Sequence, residues 1–104
     1  MAGLADIVRE EVIEYASDGV GGNIRLFPVC DDTRQIYAVN AVDYPRYKEM
    51  ADVVVMARIV GDKVVIEHDG TDKPLVQALL QRGIPREKII LAYAGEPVPD
   101  PVSL

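Results

Sequence analysis

The stretch from Lys63 to Tyr93, KVVIEHDGTDKPLVQALLQRGIPREKIILAY, spells out a strand, a polar turn, a helix, a glycine stop, a proline restart and a last strand. Val64, Val65 and Ile66 are β-branched, the type that packs well on a pleated surface. Gly61-Asp62 in front of them is a turn dipeptide between two apolar runs, so residues 53–60 and 63–68 read as a hairpin. His68-Asp69-Gly70-Thr71-Asp72 then leaves the sheet. Thr71 or Asp72 is placed to cap a helix, because short side-chain oxygens accept from the first unbonded backbone N–H groups. Pro74 suits the first helical turn, where a missing N–H costs nothing. Leu75, Val76, Leu79 and Leu80 form one apolar stripe. Gly83 is the expected stop after the helix and Pro85 prevents its continuation. Arg86-Glu87-Lys88 is a polar turn, and residues 89–93 form the last strand.

Upstream, Leu4, Ile7, Val8, Val12 and Tyr15 recur at helical spacing over residues 3–17. Gly19, Gly21 and Gly22 end that helix in a connector. Residues 24–29 read as a strand whose end Pro28 confines to an edge or a bulge. Asp31-Asp32-Thr33-Arg34 is a polar turn. Residues 35–42 alternate as a second strand, with Ile36, Ala38, Asn40 and Val42 on one face and Tyr37, Val39 and Ala41 on the other. Residues 44–51 form a longer connection. The segment from Glu96 is rich in proline and reads as an extended tail, 96–104, suited to docking on a neighbour.

The order α–β–β–β–β–α–β predicts an α+β fold: an N-terminal helix, a four-stranded antiparallel meander, a second helix and a final strand. Helices gathered on one face would close a two-layer sandwich. The expected uncovered face carries Tyr37, Val39, Val54, Met56 and Val65, which calls for cover by a second copy or a partner protein. A chain of 104 residues makes one domain, 1–104, able to bury roughly 60–70% of its unfolded surface.

Composition narrows the function. No apolar run approaches the ~20 residues that span a bilayer, and MAGLADIVREEV mixes charge with apolar residues, unlike a secretory leader. A single cysteine, Cys30, rules out an intrachain disulfide, and together these features predict a cytoplasmic protein. The formal net charge is −6. Proteins that grip DNA alone present a clustered basic face, because phosphate neutralisation supplies most of the non-specific affinity. Here the positives are scattered, so direct DNA binding requires Arg25, Arg46, Lys48 and Arg58 to converge. An acidic surface suits a basic protein partner better.

Candidate chemistry is sparse. His68 is the only histidine, and with Asp69, Asp72 and Glu67 it could build a metal or general-base site. The competing reading is a strand-to-helix turn in which Asp69 and Thr71 bond local backbone. Asp31 and Asp32 read as solvated turn acids, since a divalent cation needs more converging oxygens. Cys30 lacks a base beside it and reads as a small buried hydrophobe. Gly19-x-Gly21-Gly22 follows a helix and precedes a strand, the reverse of a phosphate-binding loop. Tyr44 and Tyr47 beside Arg46 and Lys48 could stack on a base or a peptide. No cofactor and no metal are predicted.

With these motifs in hand, the chain resembles the XisI family. The resemblance rests on Asp62-Lys63-Val64-Val65-Ile66-Glu67-His68-Asp69-Gly70-Thr71-Asp72, on Arg82-Gly83-Ile84-Pro85-Arg86-Glu87-Lys88-Ile89-Ile90-Leu91-Ala92-Tyr93, and on Asp31 to Tyr37 upstream. The chain departs from the family pattern where a Gly-Trp pair is replaced by Asp43-Tyr44. A histidine position falls on Met56, a tryptophan position on Val65, and a closing His-x-Pro segment becomes Ala94-Gly95-Glu96-Pro97. The resemblance implies a divergent, non-enzymatic factor that controls excision of a DNA element, together with a XisH-like partner and a separate site-specific recombinase. Beside it, the uncovered sheet face leads to the expectation of a homodimer or hetero-complex, with Tyr44, Arg46, Tyr47, His68, Asp69 and Tyr93 as candidate partner-facing residues. Two alternatives stand beside it: a direct DNA-binding accessory factor, and a small ligand-binding or enzymatic domain using His68 and the nearby acids.

Overall fold

The computed structural model describes residues 3–17, 24–43 and 51–99. In chain order these form α1 (Leu4–Ser17), β1 (Ile24–Asp31), β2 (Ile36–Asp43), β3 (Asp52–Val60), β4 (Lys63–Asp69), α2 (Leu75–Gln81) and β5 (Ile89–Leu91). Short 3-10 turns at Arg86–Lys88 and Ala92–Ala94 flank β5. The five strands form one sheet in chain order. β1 to β4 are an antiparallel meander, and β5 adds parallel to β4 after the α2 crossover that parallel pairing requires. The expected α+β order is observed, with the final strand beside β4 making the sheet mixed.

The core lies between the helices and one face of the sheet. Val8 and Val12 of α1 and Leu75 and Leu79 of α2 meet Tyr37, Val39, Val55, Ala57, Val64 and Ile66, all buried. Each fully buried aliphatic side chain contributes about 1.5–3 kcal/mol over an exposed one. The chain reverses between β3 and β4 at Gly61, whose φ of +62° is the left-handed region open to glycine. At the far end of α2, Gly83 has φ +90°. Its N–H bonds the Leu80 carbonyl at 3.0 Å and the Ile84 N–H bonds the Leu79 carbonyl at 3.1 Å, a Schellman closure, with Ile84 buried beneath it.

Several expectations are corrected. Tyr37 and Val39 lie on the helix-covered face, not the open one, and Val54 also packs toward the core. The register explains the shift: Tyr37 pairs with Ala57 and Val39 with Val55, and irregularities at Val39/Asn40 and Met56/Ala57 break the simple alternation. Both faces of β2 are apolar, so sequence alternation alone does not say which one the helices cover. Cys30 is exposed rather than buried, because β1 is an outer strand of the sheet among the described residues. Pro28 sits on that edge strand, paired with Val39, as expected for a residue lacking a ladder donor. The last strand ends at Leu91, and Tyr93 lies in a 3-10 turn. The reason is local. Glu96 turns back so that its carboxylate accepts the Leu91 N–H at 2.8 Å, while its own N–H bonds the Leu91 carbonyl at 3.1 Å.

Candidate functional site

The strand-to-helix turn after β4 is built around Asp69. Its Oδ1 accepts the Thr71 N–H at 3.0 Å and lies 2.6 Å from the Thr71 hydroxyl; its Oδ2 accepts the Leu75 N–H at 2.7 Å. The Thr71 hydroxyl is also 2.9 Å from the Lys73 carbonyl. Asp69 therefore caps α2 from the strand end, the task expected of Thr71 or Asp72. Pro74 occupies the N-cap position with φ −56° and ψ 135°, one place ahead of the first helical turn. Both Asp69 oxygens are engaged with backbone, as in the turn reading of this segment.

His68 points away from that turn. It pairs with Met56, whereas Asp69 pairs with Val55, so the two neighbours project to opposite faces of the sheet. Glu67 is held by Arg58 at 2.6 Å. Among the described residues no group of three His, Cys, Asp or Glu side chains comes together to hold a metal ion. Asp69 and Glu67 are thus engaged elsewhere, Asp72 is exposed, and the three do not form a metal-holding group with His68.

The helix-free face of the sheet carries Phe27, Val29 and Val53, 44%, 48% and 39% exposed, with His68 at its β4 side. Val65, on the same face, is fully buried, and the Ala92–Ala94 turn packs on β4. Tyr93 in that turn is 44% exposed. Arg25 and Arg58 share this face but sit beside Val42 and Ile36, at opposite ends of β2. At about 3.3 Å per residue that is roughly 20 Å, too far for one basic cluster. Tyr44, Arg46, Tyr47 and Lys48 lie outside the described residues.

The β1–β2 turn is a second polar knot. Asp31 Oδ1 accepts the Thr33 and Arg34 N–H groups at 3.1 and 3.0 Å, and its Oδ2 meets the Arg34 guanidinium at 2.9 Å. These bonds, the Arg34 backbone first, hold the Asp31 carboxyl below its ordinary range. Tyr37 donates its hydroxyl to Asp32 at 3.0 Å, and Arg9 approaches the same carboxylate at 3.5 Å. Desolvation, with the Asp32 charge adding to it, raises the Cys30 thiol, which makes it a poorer nucleophile.

The two helices also frame a groove. α1 contributes Glu11, Glu14 and Tyr15, and α2 contributes Gln77, Ala78 and Gln81, to a groove of about 340 Å³ closed at one end by Lys73 and Pro74. The α1 residues stand at i, i+3 and i+4 and the α2 residues at i, i+1 and i+4, each set on one helix face, a signal present in the sequence but overshadowed by the apolar stripes. Tyr15 donates its hydroxyl to the Lys73 carbonyl, which ties the two helices at that end.

A mixed five-stranded sheet with two helices packed on one face defines a small α+β protein. The family model for the XisI protein matches residues 3–99, and the chain belongs to the XisI family. Its fold is similar to that of a XisI-like protein from Anabaena variabilis ATCC 29413, with a TM-score of 0.76 and 25% identity over 84% of this chain and 81% of that one. It is also similar to the fdxN element excision controlling factor XisI from the same organism, with a TM-score of 0.72 and 23% identity over 86% of this chain and 88% of that one. No curated protein matches the chain.

Proposed function

We propose that this protein is a non-enzymatic accessory factor in the excision of a DNA element, acting in the cytoplasm by docking on a XisH-like protein and controlling that partner's action on DNA. The observation that carries the reading is family membership across nearly the whole described chain. Charge supports it: a net −6 suits a basic protein partner better than a phosphate backbone. The geometry around His68 supports it too, because Asp69 and Glu67 are committed to backbone and to Arg58. The helix-free face around Phe27, Val29 and His68, together with Tyr93, is the surface this reading offers to a partner or to a second copy.

Co-expression with a XisH-like protein, followed by size-exclusion chromatography with light scattering, tests the reading. A joint peak of defined mass is expected. Two separate peaks would remove the accessory role, and a salt-dependent gel shift by the isolated chain would favour direct DNA binding instead.

A further inference from the structure

Another chain can reach the sheet at an edge or on the helix-free face. The β5 edge is closed. Its Ile89 carbonyl accepts from the Arg86 guanidinium at 2.6 Å, and both Leu91 backbone groups bond Glu96. Arg86 and Glu96 are themselves paired at 2.9 Å. The β1 edge is interrupted by Pro28. Gln35 gives its carbonyl to the Ile59 N–H, so in β2 the odd-numbered residues bond β3 and the even-numbered ones bond β1. Pro28 stands opposite Val39, an odd-numbered residue, and therefore turns its nitrogen outward. An added strand would meet no donor at the middle of β1, a device that protects edge strands from pairing.

The face remains, and its relief is self-complementary. Across β1, β2 and β3, Val29, Ala38 and Met56 stand in one row and Phe27, Asn40 and Val53 in the next. Phe27 and Val29 stand out on β1, 44% and 48% exposed, whereas Ala38, between larger neighbours, is 8% exposed. One surface thus carries a ridge and a trough, the combination that an isologous two-fold contact needs. Charge favours the same occupant. The chain is −6 overall, and α1 carries Asp6, Glu10, Glu11 and Glu14 against Arg9. The helix-free face instead has Arg58 and Glu67 joined at 2.6 Å, with Arg25 at its other end. Two copies that meet on this face keep their acidic helices outermost, where repulsion is least. A strongly basic partner would be drawn to α1 rather than here.

We propose that two copies of this chain associate through their helix-free faces, sheet on sheet, with Phe27 of each copy over Ala38 of the other. Packed sheets lie about 10 Å apart. From β1 to β4 the face spans roughly 20 Å across the strands and roughly 26 Å along them, on the order of 500 Å² in projection. Side-chain relief brings the accessible area to about 600 Å² per partner, the lower end for specific interfaces. An interface of this size is reversible, with a dissociation constant on the order of 10–100 µM. In dilute solution the chain is then monomeric, and Val29 becomes covered only on association. The dimer is independent of the accessory reading and leaves the helix side of the molecule to other partners.

Sedimentation equilibrium of the full chain, from about 5 to about 500 µM, brackets that constant. The mass should rise from 11.4 kDa toward twice that value. Val29→Lys should weaken association about tenfold or more, because the two-fold buries the unpaired lysine in both copies. Ile13→Lys adds the same charge on α1, at a residue 38% exposed, and should leave association unchanged. Circular dichroism checks the fold of each variant. A mass of 11.4 kDa throughout, or a dimer indifferent to Val29→Lys, would overturn the proposal.

A mixture of ¹³C-labelled and unlabelled wild-type chain gives a second reading that needs no variant. Isotope-filtered contacts between the Phe27 ring and the Ala38 methyl group of different copies are expected. Contacts of Leu26 with Cys30 between copies would place the dimer at the β1 edge and sink the face. Addition of a XisH-like protein separates the two readings. A joint peak formed by a chain that stays monomeric alone would remove the dimer and leave the accessory role. A dimer that forms no joint peak would support self-association and remove the accessory role.

Discussion

Asp69, the last residue of β4, accepts the backbone N–H of Leu75, the first residue of α2, at 2.7 Å. Its other oxygen holds the Thr71 N–H at 3.0 Å. One carboxylate thereby fixes where the strand stops, how the turn bends and where the helix starts. Pro74 has no side chain to serve this purpose, so the cap is delivered across the turn by a residue six positions upstream of Leu75.

Asp69→Ala should therefore destabilise the protein by about 1–2 kcal/mol, the range for loss of a helix cap with a part-buried acceptor. Asp72→Ala, in the same turn but exposed, should change stability by less than about 0.5 kcal/mol. Urea unfolding followed by circular dichroism measures both. Equal effects would mean that the turn, rather than the Asp69 carboxylate, sets the helix start.

Leu79 is fully buried between α2 and the sheet, and Val29 is 48% exposed on the open face. Leu79→Ala should cost about 2–5 kcal/mol by leaving a cavity. Val29→Thr should stay within about 0.5 kcal/mol. Thermal denaturation separates the two. A large effect of Val29→Thr on stability would show that its face is covered in solution.

Gly83→Ala tests the helix stop. Nothing lies within 4 Å of a Cβ built at this position, so there is room for the methyl group, but φ is +90°. The cost is conformational, about 1–2 kcal/mol. Chemical denaturation reads it, and a neutral result would mean that the chain relaxes out of the left-handed conformation without loss.

Glu96 supplies the pH dependence. Its carboxylate accepts the Leu91 N–H and meets Arg86 at 2.9 Å, and these bonds, Leu91 first, hold its pKa below the ordinary value. A depressed carboxyl stabilises the fold above its unfolded value, about 4.3, and that contribution is lost as pH falls through the lower folded value. The Leu91 amide resonance should therefore titrate below pH ~4.3. Glu96→Gln should remove the titration. A Leu91 midpoint at or above the ordinary glutamate value would contradict the contact.

Much of this architecture is legible in short-range chemistry. The α2 stop at Gly83, the turn at Gly61 and the edge position of Pro28 follow from backbone freedom or a missing donor, properties of single residues. The turn role of Asp69 is legible for the same reason, although its particular receiver, Leu75, is not. The end of β5 escaped notice because Glu96, a residue beyond it, bonds both backbone groups of Leu91. The isolation of His68 from Asp69 was equally hidden, since it depends on the pairing of β3 with β4.

What the sequence determined by itself is the order of elements and their punctuation, because propensity, capping and turn preference act within a few residues. It also carries the family, through the motifs of residues 62–93 that lie inside the match over 3–99. Tertiary structure alone decided which face of β2 is buried, that Cys30 is exposed on an outer strand, and that Arg82 joins the acids of α1. Those outcomes depend on strand register and on where helices land, relations between residues distant in the chain. A sheet with apolar residues on both faces leaves that choice to packing.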